Sequence, residues 1–447
     1  MEKIRRAKKS ILGIVRNNKS TVFVIILLFA NKFLGFIKNV IMAKYYGTNP
    51  ISDAYHMATS ISTITIGITL YSYQAFTKGF FISQKKNEEN EYASSFVNFV
   101  LIMSLILLII ILFFSKSIVG LFAPGFDEVQ SSYTESLLVP ILFGTTITII
   151  INILSEYLRC KKTFVIPQFF PLLLNIVEIA AIYLAVRYNY MWLAYGFLIA
   201  NAICLVALVI LSTRRGFRYK FSLSKRHVNI FKKVFIPVLI SSLIVDVNFM
   251  VDKMFASSFE TGTVSMLSYA INIRSVLLII AAGILTVLFP KISKISSDNQ
   301  IEKLQIKIKR ILKIILLIYI PLTIIMLIAA RPLVGIVYSR GEFGEESVIR
   351  TSLYLSMYII GIAGISVRDL YIKALYCLEK GKYVTFISIA SVLINVILNF
   401  VLSNIMGPSG LALATSLSAI IATVPLYFYY LRTVHSLSNI NDGNKDE

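Results

Sequence analysis

Apolar runs with few charges, each long enough to cross a bilayer, recur along this chain with only short loops between them. A helix needs about 20 mostly apolar residues to span a hydrocarbon core of about 30 Å. Stretches such as Phe99–Phe114 and Ile311–Ala330 fit a span and fit little else. Charged residues make up 15% of the chain, where a soluble domain carries about 25%. The expected fold is therefore an all-α membrane protein with about twelve transmembrane helices. Approximate spans are 21–45, 53–83, 92–115, 134–158, 165–187, 190–213, 229–257, 263–290, 308–330, 348–377, 382–403 and 409–432.

The formal net charge is +21. On a soluble chain that would suggest nucleic acid, but no separate soluble segment is long enough to bind one. The basic residues sit in alternate loops, including Lys85 and Lys86, Arg159 to Lys162, Arg214 to Lys233, Lys291 to Lys313, and Lys373 to Lys382. The intervening loops are poor in basic residues or acidic, with Asp53, Asp127, Glu128, Glu260, Glu342, Glu345 and Glu346. The positive-inside rule then predicts that both termini are cytoplasmic, as an even number of spans requires. The basic segment Met1–Ser20 is expected to be a retained cytoplasmic lead-in, because the apolar stretch after it is interrupted by Lys32 and Lys38 and lacks a small-residue cleavage site. Membrane lipids, including an anionic inner leaflet, are the expected surroundings.

Catalytic signatures are missing from the sequence. Cys160, Cys204 and Cys377 lie in or beside apolar spans without metal-ligand spacing, and His56, His227 and His435 are isolated. There is no phosphate-binding glycine loop. The chain is expected to be no enzyme and to hold no cofactor.

The chain also repeats. Tyr157-Leu-Arg-Cys-Lys-Lys-Thr-Phe leads into a span bearing Asn175, and Tyr376-Cys-Leu-Glu-Lys-Gly-Lys-Tyr into one bearing Asn395. Phe122-Ala-Pro-Gly-Phe-Asp-Glu has a counterpart in Tyr338-Ser-Arg-Gly-Glu-Phe-Gly-Glu. Loops and spans match in the same order about half a chain apart. That predicts an N-terminal lobe over 1–213, a basic cytoplasmic connector over 214–233 and a C-terminal lobe over 234–447. Each lobe is a six-helix bundle, and the two are related by a pseudo-two-fold axis along the membrane normal, as in several transporter folds.

Ionisable residues inside spans cost about 2.5–3.5 kcal/mol or more, so they face a wet cavity or a partner. Lys32 and Lys38 interrupt the first span, about 120° apart around the helix. Arg274 interrupts the eighth, Glu178 the fifth, and Asp246, Asp252 and Lys253 lie in the seventh. Lys32, Lys38 and Arg274 read as lining a cationic cavity for an anionic substrate, since phosphate oxygens accept charge-assisted hydrogen bonds. The alternative is internal pairing, for example of Lys38 with Asp246 or Asp252. The hydroxyl-rich second span, Thr59–Thr69 with Tyr71, Tyr73 and Gln74, reads equally as helix glue or as a polar pathway.

The run Leu34-Gly-Phe-Ile-Lys-Asn-Val-Ile-Met-Ala-Lys-Tyr-Tyr-Gly-Thr-Asn-Pro-Ile-Ser-Asp-Ala-Tyr55 resembles the opening of the MurJ-type lipid II flippases, which belong to the MOP superfamily. Phe122-Ala-Pro-Gly-Phe, Phe255-Ala-Ser-Ser-Phe with Tyr269-Ala270, Leu288-Phe-Pro-Lys-Ile-Ser and Tyr338-Ser-Arg-Gly-Glu-Phe extend the resemblance over nearly the whole chain. It implies a bacterial cytoplasmic-membrane flippase for a polyprenyl-pyrophosphate-linked saccharide. The headgroup would cross through a central cationic cavity by alternating access while the lipid tail stays in the bilayer. Lys32 and Lys38 stand where the family usually has arginine, and Asp53 matches the aspartate of its Asp-Ala motif, so the resemblance implies that Asp53 joins Lys32, Lys38 and Arg274 in binding the substrate.

Departures accompany the likeness. An arginine pair late in the second span is replaced by Ile66 and Gly67, and the family's Tyr-Ala-Asp-Arg reads Tyr269-Ala270-Ile271-Asn272. Many members have fourteen spans, against twelve here. Lysine also lacks the bidentate fork of arginine. These differences leave open lipid II or another cell-envelope saccharide precursor. Some members bind sodium, and Asp252, Asn395, Asn399 and Thr415 match that pattern, which implies Na+ as a coupling ion. A monomer is expected. Two other functions remain: a MATE-like exporter of small molecules, disfavoured by the buried cations, and a non-transporting scaffold of envelope synthesis.

Overall fold

A computed structural model describes residues 19–66, 72–298 and 300–443. The lead-in 1–18 and the second-span positions Gly67, Thr69 and Tyr71 therefore lie outside the described residues. Fifteen helices account for nearly all the rest, and no strand occurs among the described residues. They are α1 (Lys19–Tyr46), α2 (Pro50–Thr65), α3 (Tyr73–Gln84), α4 (Glu89–Phe113), α5 (Ser115–Phe122), α6 (Glu128–Cys160), α7 (Ile166–Arg187) and α8 (Trp192–Arg214), followed by α9 (Lys225–Ser257), α10 (Thr263–Ser297), α11 (Ile301–Tyr338), α12 (Glu345–Ile360), α13 (Ile362–Cys377), α14 (Gly381–Met406) and α15 (Pro408–Gly443).

Among the described residues, nine helices are long and apolar enough to cross a membrane, and α12 with α13 makes a tenth, bent by 40°. Two of the twelve expected spans fall outside that set. Span 53–83 is described as the two shorter helices α2 and α3, and 229–257 lies in α9. The all-helical membrane architecture stands. The short α5 was not anticipated, because eight residues are too few to leave a periodic signal.

The chain forms two compact units. The first comprises 1–42, 57–121 and 128–243; the second comprises 43–56, 122–127 and 244–447. In the first, α6 packs against α3, α4, α7 and α8, and α8 packs against α7. Small residues let these backbones approach: Gly144 of α6 lies against Phe197 of α8, and Gly196 of α8 against Ala181 of α7. Interhelical hydrogen bonds add to this contact. Thr148 donates to Asn201 at 2.7 Å and the hydroxyls of Ser62 and Thr145 meet at 2.6 Å. Ser62 of the hydroxyl-rich α2 is thus helix glue. The connector folds back on α4, where Tyr219 donates to Asn98 at 2.6 Å and Asn98 donates to the Ser222 carbonyl at 3.0 Å. It is already helical from Lys225.

In the second unit α15 packs against α12, α13 and α14, and α10 against α11, α12 and α13. The break between α12 and α13 has an identifiable cause. A Cβ at Gly361 would collide with Ser416 of α15. The Ser416 hydroxyl donates to the Met357 carbonyl at 2.7 Å and lies 3.2 Å from that of Tyr358. The carbonyls freed by the bend are therefore satisfied from a neighbouring helix, as a bent span requires.

Several of the family-like motifs meet in this unit. Gly47, at φ 50°, and Gly341, at φ 63°, take the left-handed conformation that glycine tolerates without strain. Gly341 lies against the Lys44 carbonyl, and Gly47 against that of Glu342. The Glu342 amide donates to the Lys44 carbonyl at 2.9 Å. Tyr269 donates to the Gly47 carbonyl at 3.1 Å, and its ring packs on Tyr338 and Phe343. Gly125 of the Phe-Ala-Pro-Gly-Phe turn lies against Ser257 and Ser258. Much of the sequence likeness is thus a knot of turns and aromatic rings.

Candidate functional site

Asn49 accepts the Ser52 amide at 2.9 Å and caps the start of α2, with Pro50 in the first turn, where its missing N–H costs nothing. This cap aims Asp53 at the start of α10. Asp53 accepts the amides of Gly262 at 2.6 Å and Ser265 at 2.8 Å, and the Ser265 hydroxyl as well. Buried at 1% exposure, its carboxylate satisfies amides that the first turn of a helix leaves without partners. Nearby, Lys253 donates to the His56 carbonyl at 2.9 Å.

The two lysines of α1 occupy different settings. Lys32 is exposed. Lys38 is half-buried and donates to Glu178 of α7 at 2.6 Å. Asn175, three residues earlier on α7, donates to Asn31 of α1 at 2.7 Å. Sequence reasoning noted Glu178 as an intramembrane charge but offered Asp246 and Asp252 as partners for Lys38. The i, i+3 spacing of Asn175 and Glu178 on one helix face was the available signal.

Arg274 of α10 is buried at 4% exposure, with its guanidinium carbon 4.6 Å from the centre of the Tyr358 ring. Its Nε and Nη1 have no hydrogen-bond partner among the described residues. It lines a cavity of about 320 Å³ together with Arg368, Ser388, Ser391 and Thr415. Arg368 is partly exposed and pairs with Asp369 at 3.5 Å, so Arg274 is the buried cation of this cavity; a charge-assisted bond from it to an anion would be strong where water is excluded.

Asp252 of α9, Asn395 and Asn399 of α14, and Thr415 of α15 form one buried cluster. Asn399 donates to Asp252 at 2.6 Å and to Asn395 at 3.1 Å; Thr415 donates to the other Asp252 oxygen at 2.8 Å. The Asn399 carbonyl oxygen and the Asn395 amide nitrogen are buried without partners among the described residues. One carboxylate, two amide oxygens and a hydroxyl form an all-oxygen donor set, which suits a hard monovalent cation. The unpartnered Asn399 oxygen is the kind of acceptor such an ion would use. No group of three or more His, Cys, Asp or Glu side chains placed to hold a metal occurs among the described residues.

Comparison with known proteins gives a consistent result. The family model described as Lipid II flippase MurJ matches residues 42–441. The chain is 26% identical over 439 residues to a probable lipid II flippase MurJ of Borreliella burgdorferi, covering 92% of this chain and 83% of the relative. It is 25% identical over 424 residues to the protein of the same description from Buchnera aphidicola subsp. Acyrthosiphon pisum, covering 90% and 81%. Among solved structures it is similar to a lipid II flippase MurJ in an inward closed conformation, with a TM-score of 0.82, 23% identity, and coverage of 93% of this chain and 90% of that one. An inward-facing multidrug resistance MATE family transporter of the MOP superfamily follows, with a TM-score of 0.75, 14% identity and coverage of 93% and 99%.

Proposed function

Because the chain belongs to the lipid II flippase MurJ family, we propose that it carries a polyprenyl-pyrophosphate-linked saccharide across the bacterial cytoplasmic membrane. The observation that carries this reading is the family match over residues 42–441. The substrate is lipid II or a related cell-envelope precursor, moved from the cytoplasmic to the outer leaflet by alternating access. The protein acts as a monomer with both termini cytoplasmic, and it performs no covalent chemistry. Positioned cations and a route for the headgroup are sufficient for this task.

Lys32, Lys38 and Arg274 bind the pyrophosphate. Support comes from the exposure of Lys32 and the partial exposure of Lys38, and from the unpartnered N–H groups of Arg274 beside a cavity. Asp53 serves the same function indirectly by holding the start of α10, the helix that carries Arg274. Sodium bound by Asp252, Asn395, Asn399 and Thr415 is the coupling ion. The all-oxygen donor set and the unpartnered Asn399 oxygen support this. A bound ion would link α9 to α14 and α15 by a charge that only the ion-loaded state contains.

The MATE-like exporter shares the fold at 14% identity, which speaks for architecture alone. Buried and half-buried cations repel an organic cation. Purified protein in liposomes with fluorescent lipid II in the outer leaflet tests the reading. Transfer to the inner leaflet is expected, at a rate far above that of empty liposomes and lost in the Lys32→Ala, Lys38→Ala double variant. Transport of organic cations with no movement of lipid II would favour the exporter, and no transport of either would favour the scaffold.

A further inference from the structure

Glu178 is the only acidic residue of α7 (Ile166–Arg187) and sits near its middle, at 8% exposure. A carboxylate at that depth is costly, so its retention needs a reason. Helix alignment is a weak one. Asn175 already ties α7 to α1 through Asn31 at 2.7 Å and also donates to the Pro171 carbonyl at 2.9 Å. Gly35 of α1 lies beside the same Asn175 side chain. The uncharged pair therefore fastens these helices without the charged one.

What the glutamate does hold is the ammonium of Lys38. The bond is short and charge-assisted, at 2.6 Å. The Lys38 side chain remains 21% exposed, against 9% for that of Glu178. The donor thus stays accessible while its acceptor is sheltered. Carboxylate and phosphate oxygens are the same class of acceptor for this donor, so a pyrophosphate reaching the exposed side of Lys38 competes with Glu178 for its ammonium.

We infer that Glu178 is the resident counterion of Lys38, displaced by the substrate pyrophosphate and returning when the substrate leaves. This rests on the reading of Lys38 as a pyrophosphate ligand. The pair orients the lysine before substrate arrives, which lowers the ordering cost of binding. The broken bond is set against the bond gained, so substrate is held less tightly than by an unpaired lysine. A flippase needs that restraint, because substrate bound too firmly at one face is not released at the other.

The test measures binding of a long-chain polyprenyl pyrophosphate to the purified full chain, with flipping of lipid II and thermal stability in parallel. Glu178→Gln keeps the shape and an acceptor but removes the charge. It is expected to bind the probe severalfold more tightly and to turn over more slowly. Glu178→Asp, which keeps the charge on a shorter stem, should fall between it and the parent in both quantities. Unchanged or weaker binding in both variants, with or without loss of thermal stability, overturns the inference. If Glu178→Gln fails to accumulate, the dissociation constant of Glu178→Asp decides, and a value equal to that of the parent overturns it. Lys38→Gln separates the two levels. Parent-like binding there overturns the ligand reading along with the inference. Weakened binding there, with no tightening at Glu178, overturns the inference alone.

Discussion

Asp53 and Ser265 stand 212 positions apart in the chain, yet the Ser265 amide donates to the Asp53 carboxylate at 2.8 Å. Its hydroxyl donates to the same oxygen, and the Gly262 amide takes the other at 2.6 Å. A residue that reads from its motif as part of a substrate site is occupied as a helix cap supplied from elsewhere in the chain.

Asp53→Ala should therefore cost stability. Hydrogen bonds to a charged group contribute about 1.5–3 kcal/mol each, and their loss would leave buried amides without partners. A fall of about 3 kcal/mol is expected. It would be read as a lower melting temperature in detergent and reduced amounts in membranes, with Asp53→Asn between the two. A variant that melts like the parent but no longer binds substrate would assign Asp53 to direct contact instead.

The bend at Gly361 makes a second test. Gly361→Val must push a branched side chain into Ser416, and overpacking of this kind costs about 1–3 kcal/mol. Ser416→Ala leaves the Met357 carbonyl without its donor, at about 1 kcal/mol. Melting curves should rank parent, Ser416→Ala and Gly361→Val in descending order. Equal melting of all three would show that the bend is not held by this contact.

Sodium should raise the melting temperature of the parent protein relative to choline at equal ionic strength. Binding to the folded state alone adds about 2.7 kcal/mol at roughly a hundredfold excess over Kd. Asp252→Asn should lose that gain, since it removes the one negative charge of the cluster, and flipping should lose any sodium dependence. An identical sodium response in both proteins would place the ion elsewhere or remove it.

Orientation is open to labelling with a membrane-impermeant thiol reagent in a background lacking Cys160, Cys204 and Cys377. A cysteine at Lys220, in the basic connector, should be protected from outside. One at Gly344, beside Glu342, Glu345 and Glu346, should be modified. The opposite pattern would reverse the topology drawn from the loop charges.

Helix positions were legible in the sequence because they follow from a local requirement: about 20 apolar residues per crossing and a break in hydropathy at each loop. Span 92–115 became α4 (Glu89–Phe113), and 382–403 became α14 (Gly381–Met406), within a few residues. Family membership was legible for a similar reason, since tight turns such as Tyr338-Ser-Arg-Gly-Glu-Phe constrain residue identity locally. Partners were not. That Lys38 meets Glu178 depends on which stretches of two helices 140 positions apart in the chain come within reach, and hydropathy sets no such pairing. The bend at Gly361 and its Ser416 donor escaped reading because both halves are helical and apolar, and only the neighbouring helix supplies the missing hydrogen bonds. The chain's own pattern decided where it crosses the membrane; packing between helices decided which buried charges face which partners, because that choice is made by side chains far apart in sequence.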